Sequence, residues 1–217
     1  KYTFSANEYA NDNEPNDTFD KASLIVNGQT VQGHQGYAYN STYTDSEDWF
    51  KIEVPKDGNV SLLLTPSASL NISYISFKPL DKNGAPYERT FKYINNQSTT
   101  LTISDVAPGT YYIYLKRSSG YGGYSLKYTF SANEYANDNE PNDTYKEAIL
   151  LKAGEVVSGH LGYAYTSGDT DNEDWYQVNF PEKGIARFNF KPDTTSSISI
   201  RYIELFKVTP TGTTSKS

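Results

Sequence analysis

The densest run of oxygen-bearing side chains in the sequence is Asp12-Asn13-Glu14-Pro15-Asn16-Asp17, and it recurs as Asp138 to Asp143. A hard cation such as calcium takes six to eight oxygens from carboxylates, amides and backbone carbonyls. One short loop cannot fill that shell, so a site needs partners from elsewhere in the chain. Asp45 and Asp48 are placed to supply them in one half, Asp171 and Asp174 in the other. The spacing is not that of an EF-hand loop, which needs a central Gly and a terminal Glu. Asn, Asp and Pro in this order also cap a helical turn and link domains, so the run reads both as a cation site and as a cap.

Tyrosines form the second group. Tyr37 and Tyr39 alternate, as do Tyr163 and Tyr165, and Tyr112 and Tyr114. Alternate residues of a strand share a face, so each pair could set two rings side by side for a sugar or a collagen-like polymer. Packing into a core is the commoner use of such rings, and the chain has no Met to do that work. His34 and His160 each follow a Gly and have no second His nearby. Neither copy offers a defensible Ser-His-Asp arrangement, and the glycine-rich stretch 118–124 lacks the Lys of a phosphate loop. No catalytic activity is expected.

The elements that must position these groups are strands. Phe50, Ile52 and Val54 alternate, then Val60, Leu62 and Leu64. Further strands are expected over Asn71 to Leu80, Thr99 to Ile103, Thr110 to Lys116 and Gly123 to Phe130. Lys82-Asn83-Gly84 and Ala107-Pro108-Gly109 supply turns. Asn16 to Ala22 is the one helical hint, capped by Asn or Asp. Many short strands at this spacing predict an all-β fold, a jelly-roll-like sandwich.

The pattern is built twice. Residues 1–18 recur letter for letter as 127–144, an offset of 126. Gly33-His34 then matches Gly159-His160, and Asp45, Glu47, Asp48 and Trp49 match Asp171, Glu173, Asp174 and Trp175. A period this long predicts tandem domains rather than a solenoid. The expected organisation is a last strand of a preceding copy at 1–8, copy one at 9–130, and copy two at 131–217. Copy two lacks counterparts of the closing strands of copy one. The chain reads as a window cut from a longer array.

Composition removes other classes. Lys+Arg 19 against Asp+Glu 26 gives a net charge of -7, which leaves no basic footprint for nucleic acid. No apolar run approaches the roughly 20 residues of a membrane span. Zero Cys removes disulfides and thiolate sites, and two His leave little for a zinc hydrolase.

Four motifs in order carry a family resemblance: Asn13-Glu-Pro-Asn-Asp-Thr18, Gly28-Gln-Thr-Val-Gln-Gly33, Glu47-Asp-Trp-Phe50 and Ala107-Pro-Gly-Thr-Tyr-Tyr112. Together they resemble the bacterial pre-peptidase C-terminal domain family. That family is a β-sandwich appended to secreted proteases and surface proteins, and its relatives include the collagen-binding domains of clostridial collagenases. The tyrosine-rich segment Tyr37 to Tyr43 is a departure, being longer than the family's usual connection. In the calcium-binding relatives a Glu-x-Glu-Pro-Asn-Asp loop supplies ligands; here Asp12 stands for the first Glu. The resemblance therefore implies Asp12, Glu14, Asn16 and Asp17 as calcium ligands with Asp45 and Asp48. In copy two it implies Asp138, Glu140, Asn142 and Asp143 with Asp171 and Asp174. It implies an extracellular or cell-surface location and a structural or adhesive spacer whose junctions calcium stiffens. A collagen- or carbohydrate-binding accessory module of a secreted hydrolase is the alternative. The expected partners are neighbouring copies of the same domain, with collagen or polysaccharide as the external ones. Residues 1–8 of one molecule could also complete copy two of the next, giving a filament.

Overall fold

Apolar residues at every second position select the strands, and two sheets bury them against each other. In a computed structural model of the chain, the residues described are 1–5, 9, 12–38, 44–133, 135, 140–162, 164–166, 169–193, 198–209 and 214–216, those of 164–166, 169–170 and 214–216 by backbone alone. Nine strands come from the first repeat: β1 (Ser23–Leu24), β2 (Thr30–Gln35), β3 (Glu47–Val54), β4 (Gly58–Pro66), β5 (Leu70–Pro79), β6 (Thr90–Tyr93), β7 (Thr99–Val106), β8 (Gly109–Gly120) and β9 (Gly122–Ala132). One sheet has the order β1-β3-β8-β5-β6, and the other includes β7-β4-β9-β2. The chain crosses between sheets from β3 to β4 to β5, and again from β6 through β7 and β8 to β9. That crossing makes a jelly-roll-like β-sandwich.

The core follows the alternation. Phe50, Ile52 and Val54 of β3 face Val60, Leu62 and Leu64 of β4 in one buried cluster, closed by Ile113 and Leu115 of β8 and Leu126 and Tyr128 of β9. Each large side chain withdrawn from water this way contributes about 1.5–3 kcal/mol. In β5 the inward set changes from Leu70 and Ile72 to Ile75 and Phe77. An irregularity in its pairing with β8, between Ile72 and Tyr74, absorbs the change of parity. The turn after β5 is held by Asp81, whose Oδ1 accepts the amides of Asn83 at 2.8 Å and Ala85 at 2.9 Å.

The helical hint resolves into a single 3-10 turn, Phe19–Lys21. Thr18 occupies its cap position and makes no side-chain cap hydrogen bond, so neither Asn16 nor Asp17 caps it. Asn16 is engaged in the acidic loop instead. Strands β2 and β6 were not expected from periodicity, because β2 mixes polar and glycine residues and β6 is exposed along most of its length.

The second repeat contributes β10 (Ile149–Leu151), β11 (Ala164–Thr166), β12 (Asp169–Thr170) and β13 (Tyr176–Val178), with β10 beside β13. Spatially the chain divides into Lys1–Gln177 and Val178–Ser217. The first unit runs past the repeat junction because β11 and β12 extend the sheet of β7. In the second unit β14 (Phe206–Val208) pairs antiparallel with β15 (Thr214–Lys216). Residues 184–192 match β4 in sequence, yet Phe188 and Phe190 are more than half exposed where Leu62 and Leu64 are fully buried. The buried pair is flanked by β7 and β9, whereas among the described residues 184–192 pair with no strand. Among the described residues no helix is long and apolar enough to cross a membrane.

Candidate metal centre

Three elements bring the acidic residues of the first repeat together. The loop 12–17 is tied to β3 where the amide of Trp49 donates to the carbonyl of Asn16 at 3.0 Å. Within the loop, the amide of Asn16 donates to Glu14 Oε2 at 3.3 Å and its Nδ2 donates to Asp12 Oδ1 at 3.2 Å. Asp12 Oδ2 accepts the His34 amide at 2.8 Å, which fixes the loop to β2. Asp45 is held by Gly36, whose amide donates to its Oδ2 at 2.9 Å. Gly36 has φ +100, a conformation that side chains with a Cβ rarely adopt.

Asp48 has the same parity on β3 as Phe50 and Ile52, so it points into the sandwich. The hydroxyl of Tyr124, on β9 of the opposite sheet, donates to its Oδ2. The Tyr124 ring reaches it by lying over Gly33, where a Cβ would overlap the ring. A carboxylate at an inward position is costly unless something compensates it.

Oxygens of Glu14, Asp45 and Asp48 lie within 4.8 Å of one another. Asn16 Oδ1, Asp45 Oδ1 and Asp48 Oδ1 are buried and receive no hydrogen bond. Burial pushes the Asp12 and Asp45 carboxyls up to about 7, with the charge of Glu14 as the next cause in both. Burial pushes Asp48 well above the carboxylate range, and the charge of Asp45 adds to it. A cluster of acceptors without protons to receive is suited to a hard cation, which would supply the missing positive charge.

The second repeat rebuilds the same contacts. Trp175 donates to the Asn142 carbonyl at 3.0 Å, the Asn142 amide to Glu140 Oε2 at 3.2 Å, and the Gly162 amide to Asp171 Oδ2 at 2.8 Å. Oxygens of Glu140, Asp171 and Asp174 again lie within 4.8 Å. Asp138 lies outside the described residues. Asp17 and Asp143 are half-buried, and Asp17 adds negative potential at Asp45 without entering the close group. Sequence reasoning missed Tyr124 and Gly33. The available signal was the inward parity of Tyr124 on its strand, since a buried hydroxyl needs a partner.

The tyrosines divide differently. The Tyr37 ring lies 4.2 Å from the His34 ring, with Tyr9 on another side of His34 at 5.0 Å. Tyr39 and Tyr163 lie outside the described residues, and Tyr165 is described by its backbone alone. Tyr112 and Tyr114 share the outer face of β8, where Tyr114 is buried and Tyr112 half-buried. Their neighbours there were not foreseen. Trp49 lies 4.7 Å and Tyr74 5.8 Å from the Tyr114 ring, and Phe19 lies 5.7 Å from Tyr112. Tyr74 continues to Phe91 at 5.9 Å and Tyr93 at 6.3 Å. The rings make an aromatic band across the strands, open to solvent mainly at Phe91 and Tyr93.

Fold and site together define an all-β sandwich that carries a buried acidic cluster suited to a cation, with the cluster repeated in the following copy. No family model matches the chain. It is similar to Collagenase ColA of Clostridium perfringens (strain 13 / Type A), 28% identical over 144 residues, which covers 65% of this chain and 12% of that protein. Ephrin type-A receptor 7 of Gallus gallus is 27% identical over 112 residues, 43% of this chain and 11% of the receptor. The chain thus spans about a tenth of the length of these curated relatives. Among solved structures, the 1.0 Å crystal structure of the pre-peptidase C-terminal domain of a collagenase from Bacillus anthracis matches with a TM-score of 0.39 and 16% identity, over 49% of this chain and 92% of that one. The match to Collagenase ColA agrees with the resemblance read from the four sequence motifs.

Proposed function

We propose that the chain is a non-catalytic pair of β-sandwich modules of a secreted protein, stiffened by calcium and acting outside the cell as spacer and attachment. The observation that carries it is the buried trio Asn16 Oδ1, Asp45 Oδ1 and Asp48 Oδ1, acceptors left without donors beside Glu14. Glu14, Asn16, Asp45 and Asp48 hold the ion in the first repeat, with Asp12 orienting the loop. Glu140, Asn142, Asp171 and Asp174 hold it in the second. The ion supplies charge and crosslinks the loop to β3, not a chemical step. Calorimetric titration of the chelated chain should give two calcium ions per molecule; a titration without heat or saturation overturns the reading.

Attachment has its own support in the aromatic band of Trp49, Tyr114, Tyr74 and Tyr93 and in the collagenase relatives. The ligand is a fibrous polymer of the collagen or polysaccharide kind. Retention on insoluble collagen, chitin and cellulose identifies which. Replacing Phe91 and Tyr93 by Ala should abolish retention, and equal retention of the variant refutes the assignment.

Self-assembly through residues 1–8 is favoured by one comparison. Tyr2 and Phe4 are 88% and 74% exposed, whereas Tyr128, which Tyr2 duplicates, is fully buried in β9. If this segment completes copy two of a second chain, light scattering will show a concentration-dependent ladder that Tyr2→Asp removes. A monomer at every concentration excludes it.

A further inference from the structure

The contact between the two repeats involves a sheet edge, a strained residue and a histidine. Strand β7 would be the open edge of its sheet in the first repeat alone. Its pairing with β4 is irregular near Val106, and Asp105 has φ +55, left-handed and uncommon for a residue with a side chain. The Arg89 guanidinium donates to the carbonyls of Ser104 at 3.2 Å and Asp105 at 3.0 Å, holding the edge in that shape. Against it runs β11 of the second repeat, parallel, with Ala164 opposite Val106. The adjoining side chains meet as well: His160 Nε2 lies 3.1 Å from Asp105 Oδ1. Strand β12 folds back on β11, so a hairpin rather than a lone strand covers the edge. An unpaired edge is a template for another strand, and covering it is a general device for joining units.

The first repeat has a bridge at the matching positions. Ala38 bridges Thr44 there, as Ala164 pairs with Thr170. The ring of Tyr9 lies 5.0 Å from His34, and that of Tyr135 lies 5.0 Å from His160.

We propose that the histidine and the hairpin after it form a docking surface whose partner is another copy of this domain. The surface takes that copy's β7 edge and the carboxylate at the Asp105 position. His160 with β11 and β12 uses it on the first repeat. The latch sets the angle between successive modules. It rests on the spacer reading only in that modules must meet, and it does not need calcium.

The test uses the full chain. It has no Cys, so spin labels at Lys82→Cys and Ala153→Cys, both at exposed turn positions, are specific. Electron–electron resonance should give one narrow distance peak. Asp105→Ala and His160→Ala should each widen it, the double variant no more than either, while His34→Ala leaves it narrow. The result should be the same with calcium and with chelator, and a melting curve shows that each variant is folded. A peak already broad in the parent chain, or unchanged in the Asp105 and His160 variants, overturns the latch. A width that depends on calcium alone would overturn the latch and leave the calcium reading standing.

Discussion

Without calcium the first repeat should lose stability as the pH rises, and calcium should restore it. Asp45 is fully buried, and burial with the nearby Glu14 charge puts its carboxyl at about 7 against an ordinary 3.8. A carboxyl raised on folding binds its proton more tightly in the folded chain than in the unfolded one. Its contribution is therefore complete below pH 3.8 and is lost as the pH climbs through about 7. A rise of about three units corresponds to about 4 kcal/mol, and residual solvent screening brings this to about 2–4 kcal/mol. Asp12 is raised to about 7 partly by the same Glu14, so its share overlaps that of Asp45 and is not added. With an unfolding entropy of about 2.1 cal/mol/K per residue over about 125 residues, the loss is about 8–15 °C in Tm. On the proposed reading calcium takes the deprotonated cluster, so its effect should grow with pH. At a hundredfold excess over Kd it returns about 2.7 kcal/mol, or about 10 °C. Scanning calorimetry at pH 5, 6, 7 and 8, in chelator and in calcium, measures both. Asp48→Asn removes one buried ionisable carboxyl, and the charge it gains as the pH rises, while keeping an acceptor for Tyr124. It should raise the chelated Tm at pH 8 and abolish the calcium response. A chelated Tm as high at pH 8 as at pH 5, with no calcium shift, refutes the reasoning.

Two further outcomes follow from the packing. Leu62→Ala opens a cavity between the sheets and should cost about 2–5 kcal/mol, whereas Leu63→Ala, on the outer face of the same strand and 39% exposed, should stay within about 0.5 kcal/mol by chemical denaturation. Gly33→Ala should cost about 1–3 kcal/mol of overpacking and also weaken calcium binding. The added methyl displaces the Tyr124 ring and with it the hydroxyl on Asp48. Unchanged calcium affinity in a destabilised Gly33 variant would separate Tyr124 from the site.

The strands that alternation identifies are those with one apolar face. Phe50, Ile52 and Val54 announce β3, as Val60, Leu62 and Leu64 announce β4, because burial on one side imposes a period of two. Strand β2 gave no such signal. It pairs with β9 from Thr30 to Gln35, but its Gly33 and His34 are there for the Tyr124 ring and the acidic loop, not for apolar packing. Site residues close in sequence were legible as an oxygen-rich run. Their partners Asp45 and Asp48 were legible only as acidic residues at a repeated spacing. What chain order cannot express is that Asp48 has core parity, or that Tyr124 crosses the sandwich to meet it.

The repeat itself turns that limitation into an inference. Stability alone does not favour a carboxylate at a core position, since an apolar residue there would pack without desolvation cost. Yet Asp48 and Asp174 both occur beside an Asp and a Glu, and in both repeats a Trp amide holds the loop and a Gly amide holds the neighbouring Asp. The surroundings differ: the first cluster sits at the end of a nine-strand sandwich, the second where few strands pair. A geometry that persists across such different packing is set by the loop and its own ligands. Under the proposed calcium reading, Asp48 and its counterpart serve the ion rather than the packing. At the junction, Asp105 holds its left-handed backbone within the irregular pairing of β4 with β7, and that irregularity places its carboxylate 3.1 Å from His160 Nε2.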